Sequence, residues 1–414
     1  MDSDIKSAKT KEQAEKNTPE TETFRTPEEV AAGQTLEAPP GTAGEDMPQI
    51  NKPDKPDKLS GGWRQKMTLH WPPGKKEWIT FFVILLLVVA GGVGWALTHK
   101  KPATLKPIPK VTAKTITVPS TLTGLPVDPS VNQRTVTGVM IENSVDARPQ
   151  SGLGQAGVVF EAIAEGGITR FLALFQDTAP DNVGPIRSAR PYYEQWALGF
   201  DAGYAHVGGS PEALADIKSW GVRDLDQFAN GGSYHRVSSR AAPHNVYTSI
   251  AALNQLEVQK GYVTSKYTGF ARKKKANPDK KKPPAAKTIN LAISGPLYSV
   301  HYDYNANTNS YTRSEAGAPH IDANTNTQIS PKVVIALVMP YSLAADGHHS
   351  NYATIGSGPL YVFQDGQVIT GQWTKASNNK QSTFTDAVGK PIKLNPGQTW
   401  LTAVGGAGNV TYAP

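Results

Sequence analysis

The sequence predicts one membrane-crossing helix near the N-terminus, then an α/β domain, then a small, mainly antiparallel all-β domain. Three observations carry this expectation. Trp78–Leu97 is uncharged over roughly the 20 residues a helix needs to cross a hydrocarbon core. From Leu122, apolar strand-like runs alternate with helix start signals, and beyond Lys287 short runs bounded by turns replace them. At 414 residues the chain is long enough for two domains with ordinary cores.

Residues 1–77 are rich in Lys, Glu, Thr and Pro before the apolar run and poor in aromatics, so they read as a disordered tail that buries too little apolar surface to offset ordering entropy. The span 78–97 carries Trp78 and Trp95 near its ends, as interfacial anchors do. It starts too deep in the chain for a signal peptide and exceeds an h-region of about 7–15 residues. Residues 98–121 alternate Lys, Pro and Thr and read as an extended stalk.

The α/β domain is expected over 122–265. TVTGVMIENS, from Thr135, reads as a buried strand; VVFEAIA, then Gly166-Gly167, then ITRFLALFQ read as two strands joined by a tight turn. SARPYYEQWALGF, from Ser188, and SPEALADIKSW, from Ser210, carry helical patterns, the second with Ser as N-cap, Pro211 at the first helical position and Glu212 in the first turn. Residues 266–287 hold nine cations and one acid, a net +8 against +7 for the whole chain. The high pI therefore describes this stretch, expected as a basic flexible loop, either solvated or touching an anionic lipid or wall polymer. Over 288–414, Asp365-Gly366 between two apolar runs signals a hairpin, and Tyr302, Tyr304 and Tyr311 around an Asn-rich turn signal another, within a barrel or sandwich.

The absence of cysteine excludes disulfides, zinc–thiolate sites and thiol nucleophiles. No cofactor or metal is expected: His206, His235 and His244 lack a close-spaced ligand pair such as HExxH, and the pair His348-His349 reads as a loop. Asp303, Asn305, Asn307 and Asn309 imitate a calcium loop, with Thr308 at its sixth position and Ser314 at its twelfth where Gly and Glu belong. Ser377 to Lys380 matches S-x-x-K without the partner motifs of serine acyl transferases.

The informative polar set lies between Arg148 and Asn245. Arg148, Arg170, Arg187 and Arg190 fall in or beside turns, where converging guanidinium forks suit a carboxylate or phosphate. Glu161 and Glu165 either neutralise them or join the site. As a glycosidase pair these two carboxylates would stand roughly 13 Å apart on a strand, against the about 5–9.5 Å such chemistry uses, unless Asp181, Glu194 or Glu212 is the partner. Ser188, His206, Ser210, Glu212, His244 and Asn245 complete the candidate set, His206 because it precedes Gly208-Gly209, where a ligand can approach the backbone. Trp373 and Trp400 read either as packing or as a sugar-stacking platform, and Trp196 and Trp220 as packing.

Several of these runs, in order along the chain, resemble the YerB-type lipoprotein family of bacterial envelopes. LTGLPVD at Leu122, RPQSGL at Arg148, EGGITRF at Glu165, VGPIRSAR at Val183, HVGGSPEA at His206 and PHNVY at Pro243 are similar to its N-terminal domain. HYDYNANTNSYTR at His301, GAPHID at Gly317 and the stretch from GSGPLYVFQDGQVITGQWTK to LNPGQTWLTAV are similar to its C-terminal domain. The resemblance implies an extracytoplasmic, wall-facing protein and brings no established catalytic residues. A lipoprotein carries its lipid on cysteine, so the apolar helix is expected to be the anchor here. Lys58, Arg64, Lys66, Lys75 and Lys76 precede the span and Lys100, Lys101, Lys106, Lys110 and Lys114 follow it, a tie under the positive-inside rule. The adjoining Lys75-Lys76 and the resemblance favour a cytoplasmic N-terminus. The expected function is a membrane-anchored binding or scaffolding protein that recognises an anionic wall component or an envelope partner and not nucleic acid. The competing expectation is a wall glycan hydrolase or transferase using carboxylate and histidine groups.

Overall fold

The computed structural model describes residues 75–98, 116–279 and 281–414. The tail expected before Lys75 and the stalk up to residue 115 lie outside the described residues. Contacts divide the chain into two units, residues 1–107 and 108–414. In the first, helix α1 (Lys75–Thr98) contains the uncharged stretch Trp78–Trp95, whose side chains are all exposed. It is the one helix among the described residues long and apolar enough to cross a membrane.

In the second unit, residues 122–265 form β1 (Thr137–Glu142), β2 (Val158–Glu165), β3 (Ile168–Phe175), α2 (Pro191–Leu198), β4 (Gly203–Ala205), α3 (Pro211–Trp220), β5 (Arg223–Asp224), β6 (Tyr234–Arg236), β7 (Val246–Thr248) and α4 (Ile250–Gln259). The tight turn expected after β2 is there: Gly166 and Gly167 take φ of +54° and +79°, which glycine adopts without a Cβ penalty. Ser210 caps α3 by accepting from the Ala213 amide, with Pro211 opening the helix.

After Lys287 the described chain holds strands and short 3₁₀ turns alone; besides the short pair Ile321–Asp322 and Thr327–Gln328, the strands are β8 (Thr288–Ala292), β9 (Ser299–Asn305), β10 (Ser310–Glu315), β11 (Ala318–Pro319), β12 (Val333–Val338), β13 (Tyr341–Leu343), β14 (Ser350–Tyr352), β15 (Gly356–Gln364), β16 (Gln367–Lys375), β17 (Thr383–Asp386), β18 (Thr399–Val404) and β19 (Val410–Ala413). Both expected hairpins form, β9–β10 with Tyr304 beside Tyr311 and β15–β16 around Asp365-Gly366.

The expectation of a self-contained barrel or sandwich after Lys287 is corrected by the sheet order. One ten-stranded mixed sheet runs β17-β16-β15-β12-β18-β2-β3-β1-β4-β5, while β11-β10-β9-β8-β19 form a separate five-stranded sheet. The seam is β18 against β2, parallel, with Thr399 opposite Val158 and Thr402 opposite Glu161. All six residues of β18 are buried, and a strand buried on both faces needs cover above and below as well as neighbours on each side. Alternate side chains feed two cores: Met140, Phe160 and Leu172 enter the larger, with Phe160 stacked on Trp196 of α2 at 4.9 Å, and Val139, Val159, Phe171 and Trp400 enter the smaller, under α4.

Residues 266–287 also differ from the flexible loop expected. Phe270 is buried in the larger core, and the Arg272 guanidinium donates to the carbonyls of Leu122, Asn395 and Gly397 and to Thr399 Oγ1. Lys273 pairs with Asp365 at 2.7 Å. A buried aromatic and multiply bonded cations pin the run, while Lys274, Lys275, Lys281 and Lys282 stay exposed.

Close strand packing gives a first prediction. A Cβ on Gly371 in β16 would lie 1.9 Å from the Thr385 carbonyl oxygen of β17. Backbone cannot rotate aside as a side chain does, so Gly371→Ala should cost about 1–3 kcal/mol, read as a lower urea midpoint at unchanged slope.

Candidate functional site

The segment from Val183 to Arg190 runs extended beside the C-terminal end of β1, and backbone bonds fix it on both sides. The Ile186 amide donates to Val246 O, the Arg187 amide to Met140 O, the Val207 amide to Arg187 O and the Ala189 amide to Gly208 O. This lattice carries Arg187 and Arg190 to the place where β3 delivers Arg170. The Glu165 carboxylate, at the end of β2, accepts from both Arg170 and Arg190. Arg170 Nη1 also donates to Ser188 O at 3.0 Å, and Arg190 Nη1 to Ala189 O at 2.6 Å. Arg170 and Arg190 are buried; Arg187 is half-exposed. Burial, and then the neighbouring Arg190 charge, lower the Arg170 pKa from its ordinary value.

Arg187 Nε stands 3.3 Å from Glu142 Oε1. The same buried carboxylate meets His244 Nδ1 at 3.0 Å and accepts from Ser144 Oγ at 2.9 Å. Three guanidinium groups, Arg170, Arg187 and Arg190, thus gather around two carboxylates, Glu165 and Glu142. His244 then leads outward into an open groove of about 630 Å³ lined by Asp146, Arg148, Ser239, Arg240, Ala241 and Ala242.

The fourth arginine is held apart. Arg148 Nε donates to Asn143 Oδ1, and Nη2 to the carbonyls of Asn143 and Leu297; Nη2 lies 3.4 Å from Glu315, and the guanidinium sits over the Tyr298 ring at 5.1 Å. Behind it lies a buried network with no solvent face. Glu161 has no exposed surface: Arg313 Nη2 donates to it at 2.8 Å, Trp400 Nε1 at 3.0 Å and Thr402 Oγ1 at 3.3 Å. Burial works against the Arg313 charge, but Glu161 and then Glu315 outweigh it and raise its pKa. Burial and then Arg313 hold His320 neutral. Asn143 donates to Thr169 and Glu315, and Gln150 accepts from His320, so the network crosses from β1 and β2 into β10 and β18.

Other candidates have structural placements. His206 is fully buried, with Nδ1 at 2.8 Å from Gly208 O and Nε2 at 3.1 Å from Asp224 Oδ1, which corrects its expected place in an open cleft; a ring with both nitrogens occupied inside the fold ties two loops together. Ser210 is a helix cap and Glu212 is exposed on α3. Ser188 contributes its carbonyl to Arg170, and Asn245 accepts from Arg236 at 2.6 Å and donates to Arg240 O. Trp373 and Trp400 are buried, Trp373 donating to Val338 O, which corrects the sugar-platform alternative for both. Ser144 and Glu142 crowd the same histidine nitrogen; a nucleophile relay needs acid and nucleophile on opposite nitrogens. Among the described residues no cluster of His, Asp or Glu could hold a metal ion.

Sequence reasoning missed Glu142, Asn143, Asp146, Arg240, Arg313 and Glu315. One signal was present: an acid closing an apolar strand run in VMIENS.

Three guanidinium groups around two carboxylates, on a sheet shared by two sequence domains, define a two-domain, β-rich protein with a polar seam and one apolar helix. The chain belongs to the family of YerB-type proteins, the DUF3048 family of unknown function, matching its N-terminal domain over residues 122–263 and its C-terminal domain over residues 289–401. It is 33% identical over 304 residues to "Putative lipoprotein YerB" of Bacillus subtilis (strain 168), covering 71% of this chain and 87% of that protein. It is also similar to the crystal structure of the YerB protein from Bacillus subtilis, with a TM-score of 0.64 and 29% identity, covering 72% of this chain and all of that one.

Proposed function

We propose that this protein is an anion-recognising module of the cell envelope, tethered by α1 and binding a carboxylate or phosphate group of a wall polymer or envelope partner. One observation carries the reading: Arg170, Arg187 and Arg190 share only Glu165 and Glu142, Glu165 serving two of them, so the cluster holds one more cation than carboxylate. A buried or half-buried cation without its counter-charge is costly, and an arriving anion removes that cost through charge-assisted, forked hydrogen bonds. Arg187 is the accessible member, and Arg148 and Arg240 line the groove beside His244. The apolar helix and the lipoprotein relative support attachment to a membrane, with the folded body on the extracytoplasmic side.

The experiment is sedimentation of the full-length protein, in detergent, with purified cell wall. Arg187→Ala should weaken retention about ten- to a hundredfold, the loss of one hydrogen-bonded charge, and Arg187→Lys should fall between, since it keeps charge and loses the fork. Equal retention of all three proteins would sink the reading. Release of soluble wall fragments would replace it with a hydrolase.

A further inference from the structure

We propose that His244 links anion capture to proton uptake: the ring takes a proton from solvent at Nε2 as the anion arrives, and the resulting N–H⁺ binds the anion in the groove. The inference rests on the anion-binding reading above and adds to it a ligand contact and a pH dependence.

The two nitrogens of the ring meet different surroundings. Nδ1 lies 3.0 Å from each oxygen of Glu142, the carboxylate buried at the end of β1. A carboxylate only accepts, so the hydrogen of the neutral ring sits on Nδ1 and the lone pair on Nε2. Ser144 Oγ donates to Glu142 at 2.9 Å and steadies that contact. On the far side of the ring, Nε2 faces the groove of about 630 Å³, with Asp146 Oδ2 at 3.9 Å, beyond hydrogen-bond reach. A lone pair repels an anion; a proton at the same atom makes it a charge-assisted donor.

The loop that carries the ring is held. The His244 amide donates to Ala241 O and the Val237 amide to Asn245 O, both at 3.0 Å. Arg240 donates from Nη1 to Asp146 O and from Nη2 to Pro149 O, tying the walls of the groove together.

The same carboxylate connects the ring to the cation cluster. Glu142 Oε1 stands 3.0 Å from His244 Nδ1 and 3.3 Å from Arg187 Nε, so the imidazole and the accessible guanidinium flank one oxygen. With the ring neutral, Glu142 balances Arg187. With the ring protonated, one carboxylate serves two cations, and the added charge faces the groove where Arg148 and Arg240 stand. The charged groups around His244 are therefore Glu142 and Arg187 on the inner side and Asp146, Arg148 and Arg240 on the outer. Of these side-chain types, imidazole is the one that changes charge between about pH 5 and 8. Linkage is reciprocal: an anion that prefers the protonated ring raises its proton affinity, and the proton raises anion affinity by the same factor. Binding should therefore strengthen as pH falls. His206 and His320 are buried with both nitrogens occupied, and His349 Nδ1 pairs with Asp346.

The test titrates the full-length protein in detergent with polygalacturonate and with long-chain inorganic polyphosphate between about pH 5.5 and 8, where imidazole titrates and these polyanions stay ionised. The part of the binding that Arg187→Ala removes is the part read. It should strengthen about tenfold from the upper to the lower pH, and calorimetry in buffers of different ionisation enthalpy should show net proton uptake. His244→Gln keeps a donor for Glu142 and cannot titrate, so it should flatten the profile and abolish the uptake. His349→Gln should keep both. A flat wild-type profile, wild-type binding without proton uptake, or a slope that survives His244→Gln refutes the proton linkage and leaves the anion site standing. If neither polyanion shows Arg187-dependent binding at any pH, the anion site fails and the linkage with it.

Discussion

Replacing Arg313 with methionine should destabilise the folded body by about 3–5 kcal/mol, because it strands Glu161 in a site with no exposed surface. The carboxylate keeps Trp400 Nε1 and Thr402 Oγ1 as donors and loses the one opposing charge within reach. His320, Glu315, Asn143 and Gln150 are bonded through the same network, so the deficit spreads. The pair itself contributes less than its breakage costs, since taking two charges out of water offsets much of their attraction. Adding Glu161→Gln to Arg313→Met should therefore restore a large part of the loss. Urea midpoints of the four proteins in the cycle decide it. A single-variant cost below about 1 kcal/mol would mean that water reaches the pair and screens it.

Glu194→Gln is expected to do the opposite. This carboxyl is buried in α2 and neither of its oxygens has a hydrogen-bond partner among the described residues. Burial, and then the charges of Asp216, Glu212 and Asp224, push its pKa up to about 9 from the ordinary 4.5. An acid whose folded pKa is raised is protonated in the native state while the unfolded chain has already released its proton. Its full stability is present below about pH 4.5, falls as pH rises, and reaches its floor near pH 9. At pH 7 the penalty is on the order of 3 kcal/mol, and a neutral amide of the same shape avoids it. Glu194→Gln should raise the urea midpoint at pH 7 and lose that advantage at pH 4. A gain that stays constant across this range would point to packing and not to titration.

What local chemistry dictates could be read from the residues. Glu165-Gly166-Gly167 needs left-handed backbone, Ser210-Pro211 opens a helix, Asp365-Gly366 turns a hairpin, and Trp78–Trp95 has the length and polarity of a span. The convergence of Arg170, Arg187 and Arg190 was also foreseeable in kind, since turn arginines near carboxylates seek each other. Arg148 and Glu161 were misplaced because their partners are remote in sequence: Glu315 and Arg313 stand on β10, and no short-range pattern announces a pairing across some 150 positions. The run from Lys266 to Lys287 misled for a related reason. Its composition is that of a solvated linker, and one aromatic, Phe270, together with one guanidinium, Arg272, overrides it by reaching the core and the far carbonyls of Asn395 and Gly397. Tryptophan at strand positions gave no hint that Trp400 would donate to a buried carboxylate while Phe228 stayed in water.

The pairing of β18 with β2 orders events during synthesis. Until residues 399–404 leave the ribosome, the first half of the sheet has an open flank at Val158–Glu161, with backbone donors and acceptors that any neighbouring strand can meet. Closing it requires bringing together positions separated by most of the folded body, a slow, entropically costly step. A nascent or truncated chain ending before Thr399 therefore lacks its central staple and is prone to adhere to other extended chains, which makes arrival of residues 399–404 the event that closes this flank.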